Sequence, residues 1–498
     1  MSLTRKRNVL SFRKSLLVLG IFALLIALTG AGTGYASIEP VTRQTLVLQH
    51  ATIVDVRSGK LTNDQTIIIT DNKISHIGNS AQTAIPIYAQ VRDATGQYVI
   101  PGLWDMHVHL EDNYKDAFPL LLANGVTGVR EMGAALKNVD IWKNSIRSGM
   151  TAPRLVYAGS TLNGGPADDA PHMFYLETEE QARKAVRLNA VKGADHIKVY
   201  SWLPRPLFLA VMDEARKYGL PVVGHLPVEV RASEAVQLGF KSIEHLHGLF
   251  IATSSIEDDI FQHADMSDLL GYSLAEIEAS QAYDSVKANK LFNTFKEKEV
   301  WPVPTMVTYL NMAKTEIDPR STYVPTAVQE QWAEVIRSTP PEQTELMAAI
   351  NSTTPDMVKK LNDAGVPMLA GTDSSFEMTN FIYGISLHDE LELLVKSGLT
   401  PLQALQTATL NPARYLEREQ ELGTVEKGKL ADLVLLEKNP LEDIRNTTSI
   451  SAVVLDGKLI EKKTLDQAVK TYPVMKVADM KEPEGAGSSD TKYILHNH

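Results

Sequence analysis

The sequence predicts an α/β fold: a (β/α)8 TIM-type barrel with a small β-sandwich domain built from segments before and after it. Three observations point there. Eight short apolar runs alternate with helical stretches between residues 101 and 417, as in βα units around a parallel sheet, and eight is the number that closes a barrel. Two strand-rich segments, 45–100 and 418–470, flank that region on either side. The length of 498 residues leaves room for a barrel of about 250 residues and an accessory domain.

The chain opens with Arg5, Lys6, Arg7, Arg13 and Lys14, then the apolar run Leu16 to Leu28, then small residues ending at Ala36. That is the layout of a signal peptide over 1–36, and it predicts an exported, periplasmic or secreted protein. The competing reading is an uncleaved membrane anchor, although a run this short falls below the roughly 20 residues a span needs. The first flanking segment carries Thr45-Leu46-Val47-Leu48 and Thr66-Ile67-Ile68-Ile69 between Gly, Asn and Asp punctuation. The barrel runs are Leu103–His109, Val126–Glu131, Arg154–Gly159, Asp195–Tyr200, Pro221–His225, Lys241–His245, Pro302–Val307 and Val366–Asp373. Two connections, 246–301 and 308–365, are long and rich in Ala, Glu, Lys and Leu at helical spacing, so both are expected to be helical. Ala431 to Leu436 and Ala452 to Leu455 read as return strands, and 478–498 reads as a flexible tail.

Composition narrows the function. Net charge is −11, and removing the five N-terminal basic residues leaves −16, which argues against nucleic acid as a partner. There is no cysteine, so thiolate catalysis and Cys-based metal sites are excluded. Any metal must be held by His, carboxylate or a modified Lys.

The sharpest motif is Pro101-Gly102-Leu103-Trp104-Asp105-Met106-His107-Val108-His109. Alternate residues of a strand face one side, so His107 and His109 project together into the barrel. Lys198, His225, His245 and Asp373 fall at the C-terminal ends of later runs, where a parallel barrel gathers its active site. Each has a plainer alternative: His245 as a core histidine, Lys198 as a surface charge, Asp373 as a helix cap. All six at strand ends by accident is the harder explanation. Tyr200, His172 and His247 are weaker candidates for substrate contact, and His196 reads as core.

This set resembles the amidohydrolase superfamily, in particular its two-metal members of prolidase-like and imidazolonepropionase-like type. The likeness spans roughly Thr45 to Ile460 and includes the return strand Gly423 to Leu433. It implies that His107, His109 and Asp373 bind one divalent ion and His225 and His245 the other. Lys198, as its carbamate, would bridge both ions together with a hydroxide. Zinc suits such a His-rich, oxygen-bridged site. Asp373 would act as the catalytic base and acid. The implied function is cleavage of amide C–N bonds in small dipeptide-like or N-acyl amino-acid substrates. Lactone or phosphotriester hydrolysis and a non-catalytic metal- or ligand-binding barrel are the alternatives. Lys198 disfavours a one-metal deaminase. His225-Leu226-Pro227 and Ser201-Trp202-Leu203-Pro204 depart from carboxypeptidase-like relatives, which puts a shared dipeptide specificity in doubt. Homo-oligomerisation is left open, and a membrane is a partner only if the N-terminal segment stays attached.

Overall fold

The computed structural model describes residues 44–110, 114–165, 170 and 172–471. The expected signal peptide and the 478–498 tail lie outside them. Among the described residues no helix is long and apolar enough to cross a membrane.

Five strands come first: β1 (Thr45–Val54), β2 (Leu61–Thr70), β3 (Lys73–Asn79), β4 (Gln90–Asp93) and β5 (Tyr98–Pro101). β1 pairs antiparallel with β2, setting Leu46 opposite Ile69 and Leu48 opposite Ile67, and it runs parallel to β4 and β5. The chain then enters the expected parallel region through β6 (Leu103–Val108), β7 (Val126–Glu131) and β8 (Arg154–Tyr157), which form one three-stranded ladder. A second, six-stranded ladder holds β9 (Thr161–Asn163), β10 (Met173–Tyr175), β11 (Ile197–Val199), β12 (Val222–Gly224), β13 (Phe240–Glu244) and β14 (Trp301–Val303), in the order β10-β9-β11-β12-β13-β14. Seven of the eight expected runs are therefore strands. β9 and β10 were not anticipated, since they sit in a polar, Gly-containing stretch.

The eighth run departs from expectation. Val366–Asp373 is not a regular ladder strand but is held by backbone bonds on both sides. Leu369 N–H donates to Pro302 O at 3.1 Å, and Met106 N–H donates to Ala370 O at 2.9 Å. The reason lies in its own residues. A Cβ at Gly371 would come within 2.8 Å of His107 Cβ and 3.0 Å of the His107 backbone nitrogen, so glycine permits a closer approach than a pleated strand makes. Asp373 then takes a left-handed φ of 59°, which ends the extended run. At the other seam, Asp195 N–H donates to Tyr157 O at 2.9 Å. The expected strand Pro302–Val307 is also cut short: Thr305 has φ 44° and a helix, Met306–Met312, begins at once.

Both long connections are helical, as their composition suggested. The first holds Leu249–Ala252, Glu257–His263, Leu269–Gln281 and Ser285–Lys298, the last two started by Asp268 and Asp284 accepting backbone N–H bonds as N-caps. The second holds Thr326–Ser338 and the 23-residue helix Pro341–Asp363. The chain returns through β15 (Leu433–Leu436), β16 (Ile450–Leu455) and β17 (Lys458–Glu461). β15 pairs antiparallel with β5, so the two flanking segments form one eight-stranded sheet, where a two-sheet sandwich was expected. Alternation explains the single sheet: Leu433 and Leu435 join Leu46, Ile67 and Val99 on one face, while Val434 and Leu436 pack into the core of the parallel region on the other.

Candidate metal centre

β6 ends in the His-x-His pair and brings both imidazoles against one carboxylate. His107 Nε2 lies 3.1 Å and His109 Nε2 3.2 Å from the same Asp373 oxygen, Oδ1. The ligand-type atoms of these three residues all lie within 4.8 Å of one another. The remaining imidazoles continue from there: ring centroids are 4.8 Å apart for His107 and His245, 4.8 Å for His245 and His225, and 4.5 Å for His225 and His247. Tyr200 stacks on His225 at 4.1 Å. Lys198, in the middle of β11, is 1% exposed, which rules out a surface charge. His196 is buried, in line with its reading as core, and His172 is half-buried at the entry to β10, where its carbonyl accepts the Thr161 N–H.

Each of the four candidate imidazoles is held from behind. Nδ1 lies 2.8 Å from Glu244 Oε2 for His107, 3.4 Å from Gly133 O for His109, 2.8 Å from Ser201 Oγ for His225 and 2.6 Å from Thr305 Oγ1 for His245. An imidazole whose Nδ1–H is taken by an acceptor presents the Nε2 lone pair on its opposite edge. Burial drives the His225 and His245 pKa values well below the usual imidazole range, and that of His109 down to about 4 against the opposing pull of Asp373. These three rings are therefore neutral near pH 7, as ligands must be. Burial likewise lowers Lys198 to about 8, opposed by the negative charges of Glu244 and Asp373. Two site residues, His245 and Asp373, carry a positive φ of 59°. Left-handed backbone at non-glycine residues costs energy and clusters at functional sites.

Sequence reasoning missed the support beneath this cluster. Arg130 and Glu244 form a fully buried ion pair, with Arg130 Nη2 at 2.9 Å from both carboxylate oxygens. Arg130 also donates to Met106 O, Ser242 Oγ and Tyr415 Oη. Burial pushes the Glu244 carboxyl up, but the charge of Arg130 and the bond to His107 outweigh it and hold the group near about 2. Asp105, two residues before His107, accepts from Thr372 N at 3.0 Å and Thr372 Oγ1 at 2.6 Å, fixing the Asp373 loop to β6. The signal available beforehand was charge in predicted barrel strands: Glu244 closes β13 and Arg130 stands near the end of β7.

Comparison with known proteins places the chain. The model of the amidohydrolase family matches residues 98–460. An ochratoxinase from Aspergillus niger is 22% identical over 473 residues, covering 81% of this chain and 84% of that protein. The structure of a Xaa-Pro dipeptidase with bound methionine in the active site aligns with TM-score 0.63 at 23% identity, over 84% of this chain and 100% of that one. Bottromycin amidohydrolase aligns with TM-score 0.64 at 21% identity, over 85% and 88%. At these identities the solved structures speak for the fold.

Proposed function

The chain belongs to the amidohydrolase family, hydrolases of carbon–nitrogen bonds, and from that premise we propose a metal-dependent hydrolase of small dipeptide-like or N-acyl amino-acid amides working at this cluster. One observation carries the reading: four imidazoles, three of them buried and each anchored through Nδ1, lie in a contiguous cluster in which two Nε2 atoms already meet one carboxylate oxygen. That donor set fits divalent ions of the zinc kind. His107, His109 and Asp373 would hold one ion, His225 and His245 a second, and Lys198, carboxylated on Nζ, would link them. Bound there, such ions supply Lewis acidity toward a carbonyl and lower the pKa of water.

The chain's own residues do the rest. Asp373 takes a proton from the attacking water and delivers it to the leaving nitrogen. Glu244 orients His107, and Arg130 keeps Glu244 ionised. The backbone bonds at Tyr157–Asp195, Pro302–Leu369 and Met106–Ala370 support reading β6 to β8, β11 to β14 and the 366–373 segment as one closed eight-stranded barrel, with its site at the C-terminal mouth. The division into a 101–417 barrel and a β domain of 45–100 with 418–470, and export directed by residues 1–36, belong to the same proposal.

The test is a parallel assay of metal-loaded protein on N-acyl amino acids, dipeptides, lactones and aryl phosphotriesters. Amide turnover lost on chelation and restored by zinc supports the proposal. Turnover of lactones or phosphotriesters alone, or amide turnover indifferent to chelation, overturns it.

A further inference from the structure

Against His245 and His247 lies a cavity that opens to solvent. Its walls come from the two long helical connections: Phe250 and Leu269 from the first, Met312, Met347 and Ile350 from the second. Its polar groups are engaged with one another. Tyr309 Oη lies 3.1 Å from His247 Nε2, and Tyr272 Oη donates to Glu276 Oε1 at 2.7 Å. The Gly248 N–H donates to the same Glu276 oxygen. The rest of the wall is largely aliphatic, aromatic and thioether surface, and His245, a candidate metal ligand, is itself part of it.

We propose that this cavity is the specificity pocket of the enzyme and receives a bulky, uncharged apolar side chain, aromatic or branched aliphatic, adjacent to the scissile amide. The inference rests on the amide-hydrolase reading above and gives the two long connections their role. Their helices supply the apolar wall that the barrel ends alone do not. Met312 and Met347, unbranched and polarisable, adapt to either ring or branched shapes.

The experiment is a kcat/KM series on metal-loaded protein with N-acetyl amino acids and dipeptides bearing Gly, Ala, Leu, Phe, Glu, Lys or Arg. Phe and Leu substrates are expected to exceed Gly and Ala by about 10–100-fold. Filling the pocket by Ile350→Trp should remove most of that advantage while leaving the Gly and Ala substrates within about threefold of wild type. Leu269→Trp, at a half-buried position on the opposite wall, should repeat the effect and guards against misfolding of the first variant. A flat profile, a preference for Lys or Arg, or equal losses on Gly and Phe in folded variants would overturn the pocket assignment.

If no amide is hydrolysed, the amide-hydrolase reading fails on its own. Calorimetric binding of N-acetyl-phenylalanine against N-acetyl-alanine then still decides the pocket. Tighter binding of the former, abolished by Ile350→Trp, supports it, and equal or absent binding refutes it.

Discussion

Glu244→Gln isolates the buried support beneath His107. The amide keeps the shape of the side chain and an oxygen that accepts from His107 Nδ1, but it removes the charge opposite Arg130. With Arg130 Nη2 at 2.9 Å from Glu244 Oε1 and both side chains fully buried, the lost attraction is about 6 kcal/mol at an effective dielectric of about 20. Relaxation and water entry recover part of this, and removing one partner of a buried pair costs about 3–5 kcal/mol of stability. The acceptor facing His107 also becomes neutral, so metal affinity should fall by about 10–100-fold. Thermal melting of the chelated protein reads the first effect, and zinc titration with a competing chelator reads the second. The double variant Arg130→Met with Glu244→Gln should recover most of the stability, because no charge is left stranded, yet keep the affinity loss. A single variant that melts within about 1 kcal/mol of wild type and binds zinc normally would refute this account of the network.

Lys198→Ala should strip activity and most of the bound metal as read by elemental analysis, and Lys198→Arg should not rescue either, because a guanidinium stays cationic. Two ions per chain with normal turnover in Lys198→Ala would refute the bridging role. Asp373→Asn should lower kcat by about 10²–10⁴, in line with loss of a proton-transfer group, and an unchanged kcat in a metal-loaded variant would remove Asp373 from the chemistry. His388, far from the cluster in sequence role and buried against Thr447 and Asn124, has its pKa pushed by burial from 6.5 to about 4. The unfolded chain binds this proton below 6.5 and the folded chain only near 4, so stability is lost as pH falls from 6.5 to 4, by on the order of 3 kcal/mol. The gap between the melting temperatures of chelated protein at pH 7 and 4.5 should narrow in His388→Gln, and an unchanged difference would exclude His388 as a source of it.

What could be read from the sequence was set by local geometry. Alternation along one strand aims His107 and His109 together, and the positions of Lys198, His225 and His245 follow from where their apolar runs stop. The helical character of 246–301 and 308–365 was equally visible, because side-chain spacing alone decides it. Partner choice across the fold was not visible. Arg130 meets Glu244 from 114 residues away, and nothing in either strand names the other. The eighth run misled for a related reason: its apolar residues suit a strand, but the close approach of Gly371 to His107 and the left-handed Asp373 are imposed by contact with β6. The sandwich expectation failed because one buried stripe per strand reads alike whether it faces a second sheet or the parallel region.

The most direct measurement is an anomalous difference map from crystals of zinc-loaded protein, collected at the zinc edge. Two peaks are expected, one among His107, His109 and Asp373 and one beside His225 and His245, with continuous density reaching from Lys198 Nζ to both. No peak at these residues, or a single peak beside an unmodified Lys198, would contradict the paired-metal centre.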